Sequence, residues 1–152
     1  MTAERSSGVP TTVWAMTTVT VTDTIDAPAA KVWPIVSDFG GLNKIMRGID
    51  SWRTEGEGLG MDRFIGMGGG EVVERLTWLD PAAYSFSYSI LSGPLPFTRY
   101  VATVRLSDNG ATTGIVWEGN FTPTGASEEE TTKLANGIYT SIIKSVKRAV
   151  AA

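Results

Sequence analysis

Residues 112–151 read TTGIVWEGNFTPTGASEEETTKLANGIYTSIIKSVKRAVA, and two different periodicities meet inside them. Over Thr112 to Thr122, Ile115, Trp117, Gly119 and Phe121 fall on every second position, the signature of a strand with one buried face. After Gly125 the period becomes helical. Ser127 with Glu130 three residues on forms a capping box, and Glu128 to Glu130 lie at the positive end of the helix dipole while Lys144, Lys147 and Arg148 lie at the negative end. Leu134, Ile138, Ile142, Val146 and Ala149 make one apolar stripe, with Ala135, Tyr139 and Ile143 beside it. A helix reaching Ala151 would be about 37 Å long at roughly 1.5 Å per residue, enough to cross a whole sheet.

Upstream, strand follows strand. Turn chemistry at Gly56–Gly60, Gly66–Gly70, Asp80-Pro81, Ser92-Gly93-Pro94 and Asp108-Asn109-Gly110 separates strands expected at Ser51 to Glu57, Met61 to Met67, Glu71 to Leu79, Tyr84 to Leu91 and Thr98 to Ser107. Asn109-Gly110 predicts a tight hairpin, because both residues accept positive φ. With no helices between them, the strands form an antiparallel meander. Ahead of it, Thr17 to Ile25 alternates strictly, Ala29 to Ser37 reads as a short helix opened by Pro28 and interrupted by Pro34, and Phe39 to Arg47 reads as a second short helix. Residues 1–16, rich in Thr, Ser, Gly and Pro, read as a flexible leader to a single domain at 17–152; Trp14 is the exception, and docking onto the domain is its commoner fate.

Composition removes whole classes of chemistry. The 152 residues include no His and no Cys, so His-dependent triads, thiol nucleophiles, the usual zinc sites and disulfides are excluded. Carboxylates, Tyr, Lys, Arg, Ser and Thr remain, and neither metal nor cofactor is expected. Thirteen basic residues scattered among sixteen acidic ones give a net charge of −3, which argues against nucleic acid as a partner. Without an apolar run of membrane-span length or a signal-peptide core, the expected location is the cytoplasm.

The order of one strand, two short helices, six strands and a long helix, together with Ile25-Asp26-Ala27-Pro28 before Val32-Trp33, Gly60-Met61-Asp62-Arg63, and Glu74-Arg75-Leu76 leading to Asp80, resembles the START-like superfamily. This group, also called SRPBCC or the helix-grip fold, holds the major birch pollen allergen, the polyketide cyclase/dehydrase proteins and the plant abscisic acid receptors. The resemblance spans Thr17 to Val150. It implies an α+β fold in which a seven-stranded antiparallel sheet wraps around the C-terminal helix, with a ligand cavity between them. Where the hormone receptors carry gate and latch motifs, this chain has Gly66-Met67-Gly68-Gly69-Gly70 and Ser92-Gly93-Pro94-Leu95-Pro96. That departure argues against hormone reception and leaves closure by these loops open.

Strand parity points Tyr84, Phe86, Tyr88 and Ile90 inward, then Tyr100, Ala102, Val104 and Leu106, then Trp117 and Phe121. Gly119, with no side chain on an aromatic face, is expected to leave cavity room. Two carboxylates share apolar faces: Asp23 with Val19, Val21 and Ile25, and Glu74 with Val72, Leu76 and Trp78. Each serves either as ligand anchor or general base, or as half of an ion pair with Arg47, Arg63 or Arg75 or a hydrated group at a strand end. The resemblance adds that the matching Glu lies in the receptor pocket and that Arg47 stands near the receptors' ligand-binding Lys. The candidate ligand contacts are therefore Arg47, Arg63, Glu74, Phe86, Tyr88, Tyr100, Trp117 and Tyr139. The leading reading is a binder of a small hydrophobic molecule of polyketide, lipid or isoprenoid type. The alternative is a polyketide cyclase/dehydratase using Glu74 or Asp23 as base, with Arg47, Tyr88 or Tyr100 steadying an enolate. An interaction module rests only on Trp14 and the loops. Oligomeric state is left open.

Overall fold

β1 (Thr17–Ile25) forms because nine residues of alternating Thr and apolar side chains suit an extended, half-buried chain. A computed structural model describes residues 16–152; residues 1–15 of the expected leader, Trp14 among them, lie outside the described residues. After β1 come α1 (Ala29–Val36), a single 3₁₀ segment (Phe39–Lys44), β2 (Ser51–Glu55), β3 (Asp62–Met67), β4 (Gly70–Asp80), β5 (Ser85–Ser92), β6 (Phe97–Asp108), β7 (Thr113–Pro123) and α2 (Glu128–Ala151), with one 3₁₀ turn at Pro81–Ala83. The seven strands form one antiparallel sheet in the order β1-β7-β6-β5-β4-β3-β2. This is the expected helix-grip fold. Among the described residues no helix is long and apolar enough to cross a membrane.

Three local expectations change. The second short helix is 3₁₀ and stops at Lys44, since Gly40 and Gly41 weaken any longer α-helix. The Asn109-Gly110 connection is a four-residue loop between Asp108 and Thr113, closed by the Asn109 amide on the Thr112 carbonyl (3.0 Å), and Gly110 carries its positive φ. The tight two-residue turn is instead Gly68-Gly69, both at positive φ, which pairs Met67 with Gly70.

Bulges correct the parity reading of two strands. On β4 the register slips between Leu76 and Trp78, so Trp78 turns to the convex face opposite Ser87 and is 53% exposed, away from Glu74. On β6 the slip lies between Thr98 and Val101, with Arg99 at φ 53°, and it turns both Phe97 and Tyr100 inward although they are three residues apart.

α2 starts at the predicted capping box on Ser127 and Glu130. It runs alongside β1 and is tied to it at both ends, by Thr17 Oγ1 donating to Glu128 Oε2 (2.8 Å) and by Lys147 Nζ on Asp23 Oδ2 (2.8 Å). The helix face that meets the core carries Ala135, Tyr139, Ile143, Val146 and Val150, so the apolar stripe is turned from the expected line; Leu134 and Ile138 lie on its flank. The C-terminal half of α2 completes a tight core with Val32 of α1, Val104, Ile115 and Trp117.

Gly119 does not leave room for a ligand. A Cβ built on it would stand 1.9 Å from the Tyr139 hydroxyl and 2.9 Å from that ring's Cζ, so Tyr139 itself occupies the gap. Gly119→Ala should therefore destabilise the fold by about 1–3 kcal/mol, the usual cost of overpacking. Combining it with Tyr139→Phe should recover part of that loss in urea unfolding; strictly additive effects would contradict the contact.

Candidate functional site

One flank of α2, from Lys133 to Ile142, roofs a cavity of about 440 Å³. Its floor comes from β3 to β6: Arg63, Ile65, Val72, Glu74, Tyr88, Ile90, Phe97 and Tyr100. Leu42, Met46 and Ile49 wall one side, Pro94 and Leu95 another, and Leu134, Gly137, Ile138 and Ile142 form the roof. Exposed Met67, Pro94, Lys133 and Leu134 stand at its rim. Gly137 is a glycine inside a helix, where it weakens the element, and a Cβ built on it meets nothing within 4 Å. The cavity lies not at Gly119 but under the flank of α2 that includes exposed Gly137.

Polar groups gather on the β3–β6 floor. The Gly68-Gly69 turn sets Arg63 directly opposite Glu74, and the two form a buried ion pair: Arg63 Nε and Nη2 both reach Glu74 Oε1, at 2.8 and 2.7 Å. Arg63 Nη1 donates to the Phe39 carbonyl (3.1 Å), and its guanidinium lies 3.8 Å above the Phe39 ring and 5.0 Å from the Tyr88 ring centre. The cation is thereby paired, hydrogen-bonded and covered, which is what a charge this deep requires.

Tyr88 Oη accepts from Trp117 Nε1 (3.2 Å), and the Tyr100 and Tyr139 hydroxyls share a 2.5 Å hydrogen bond. Burial pushes all three phenols above their ordinary range, with the nearby Glu74 charge acting in the same direction. They are neutral hydrogen-bonding groups at any physiological pH.

Of the expected contacts, Arg63, Glu74, Tyr88 and Tyr100 line the cavity together. Phe86, Trp117 and Tyr139 do not; they are packed in the core behind it, with Trp117 stacked on Tyr139 and edge-on to Phe86. Arg47 is exposed and outside the lining, while its neighbours Met46 and Ile49 are part of it. Asp23 is placed outside too. It is paired with Lys147 near the end of α2, and that hydrogen bond holds its carboxyl below the usual range, so it has no path to a ligand in the cavity. Phe97, which strand parity missed, was hidden by the Arg99 bulge.

A family model described as polyketide cyclase/dehydrase and lipid transport matches residues 16–151. The chain belongs to this family. No curated protein matches it. Among solved structures, the protein XoxI from Bacillus cereus is 27% identical with a TM-score of 0.80, over 89% of this chain and 96% of that one. Ara h 8.0201 is 20% identical with a TM-score of 0.77, over 90% and 99%. Norcoclaurine synthase from Thalictrum flavum, solved with dopamine and hydroxybenzaldehyde, is 16% identical with a TM-score of 0.76, over 97% and 94%. The last two bear on fold alone, and with the family match they place the chain in the SRPBCC superfamily.

The ion pair generates a stability prediction. Arg63→Met or Glu74→Leu alone strands a buried charge and should cost about 3–5 kcal/mol, whereas the double variant should stay within about 1–2 kcal/mol of the parent. Urea unfolding of the four proteins checks this; single effects that simply add would show that the two side chains are not coupled.

Proposed function

We propose that this protein binds a small hydrophobic molecule of polyketide, lipid or isoprenoid type in the cavity between the sheet and α2. The observation that supports the reading most is the cavity itself. Its volume, about 440 Å³, lies within the roughly 300–1,000 Å³ of small-molecule sites, and its lining is aliphatic and aromatic except for a few convergent polar groups. The solved relative of this fold that holds dopamine and hydroxybenzaldehyde is consistent with such use of the scaffold.

Turnover of a polyketide-type substrate is a second reading, favoured by one arrangement: Glu74 shares the cavity lining with the Tyr88 and Tyr100 phenols. A carboxylate beside neutral donors suits proton abstraction with an oxyanion steadied alongside. Asp23, the other carboxylate considered for this role, is too remote.

N-phenyl-1-naphthylamine, a neutral apolar fluorophore that brightens out of water, tests the binding role. The parent protein should take it up saturably with one-to-one stoichiometry at micromolar affinity. Ile138→Trp, which fills the cavity from the roof, should weaken uptake at least about tenfold without loss of the folded state. Unsaturable uptake, or uptake unchanged by Ile138→Trp, would contradict a cavity-binding role.

A further inference from the structure

The polar groups around the cavity leave particular hydrogen-bonding positions open. Arg63 has Nε and Nη2 on Glu74 Oε1 and Nη1 on the Phe39 carbonyl. Glu74 is 8% exposed and lines the cavity, yet among the described residues its second oxygen, Oε2, meets no donor. Tyr88 Oη receives the Trp117 N–H, but its own proton is given to no acceptor among the described residues. In the Tyr100–Tyr139 pair either hydroxyl can be the donor; where Tyr139 donates, the Tyr100 proton meets no acceptor among the described residues. Buried polar groups are nearly always satisfied, so an acceptor and phenolic donors left open beside one cavity describe what should enter it.

We propose that the ligand is a neutral hydrophobe that donates a hydrogen bond to Glu74 Oε2 and accepts one from the Tyr88 or Tyr100 hydroxyl: an alcohol or phenol, alone or beside a carbonyl. This rests on the binding role proposed above and narrows its chemistry. A carboxylate is disfavoured because Arg63, the cation among these groups, is already paired and covered, so a second anion would sit beside Glu74 with nothing to balance it. Lys133 stands only at the exposed rim. A pure hydrocarbon is disfavoured for the opposite reason, since it would seal the cavity while leaving the acceptor and the phenol protons unmatched.

Three bicyclic probes of nearly one shape separate these cases by calorimetry on the full chain: 2-naphthol, 2-methylnaphthalene and 2-naphthoate. The proposal expects 2-naphthol to bind about tenfold or more tighter than either of the others, the yield of one hydrogen bond to a charged acceptor. Glu74→Gln keeps the side chain's size and should erase the advantage over 2-methylnaphthalene. Because that variant leaves Arg63 uncompensated and can fail to fold, Tyr88→Phe provides a second reading: it should reduce the preference for 2-methoxynaphthalene, an acceptor only, over 2-methylnaphthalene. Equal affinity for 2-naphthol and 2-methylnaphthalene would overturn the proposal while leaving the cavity a binding site. Tightest binding of 2-naphthoate would overturn it in favour of selection by Arg63. Absence of binding by every probe would overturn both this proposal and the binding role beneath it.

Discussion

Tyr139 of α2 lays its hydroxyl over Gly119 of β7, at the position where that strand's inward face has no side chain, and the hydroxyl is then bonded to Tyr100 of β6. This contact sets how deep the helix sits on the sheet. Beyond it, towards the C-terminus, Ile143, Val146 and Val150 reach the core against α1, β1 and β7. The same helix roofs the cavity with Leu134, Gly137, Ile138 and Ile142. One helix therefore serves as core along the face of Ala135, Tyr139, Ile143, Val146 and Val150 and as roof along the flank of Leu134, Gly137, Ile138 and Ile142.

The Arg63–Glu74 pair is the second constraint, and it bears on function more than on stability. Burying two charges gives little net stabilisation compared with an apolar pair of similar volume. Its effect is to put a fixed polar feature into an otherwise apolar lining. Because both Arg63 donors converge on one Glu74 oxygen, the pair is neutral as a whole but has an acceptor to spare. Neutral Tyr88 and Tyr100 stand in the same lining, so selectivity by hydrogen bonding is available there.

The fold was legible because its signals are periodic: alternation in β1 and β5 to β7, the capping box, and dipole-matched charges along α2. The ion pair was half legible. Once Gly68-Gly69 is taken as the turn, register alone places Arg63 across from Glu74, but the alternatives Arg47 and Arg75 could not be set aside without it. What parity could not see were the bulges at Thr77 and Arg99, which cost Trp78 its inward place and gave Phe97 one. Nor could it tell the two glycines apart. Gly119 lacks a side chain on an inward face, and only packing shows that a tyrosine fills that gap, whereas exposed Gly137 at the cavity roof faces open space. Asp23 shares the parity of Val19 and Ile25, yet it is exposed and Lys147 is within reach.

The central claim is that a ligand enters beneath the flank of α2 that runs from Lys133 to Ile142 and leaves the packed core around Val104, Ile115 and Val146 undisturbed. Methyl-resolved NMR during titration with N-phenyl-1-naphthylamine tests this most directly. The account predicts shifts confined to methyl groups lining the cavity, among them Ile65, Ile90, Leu134 and Ile138, with Val104, Ile115 and Val146 unmoved. Shifts centred on the latter set, or on the exposed sheet face around Trp78, would contradict it.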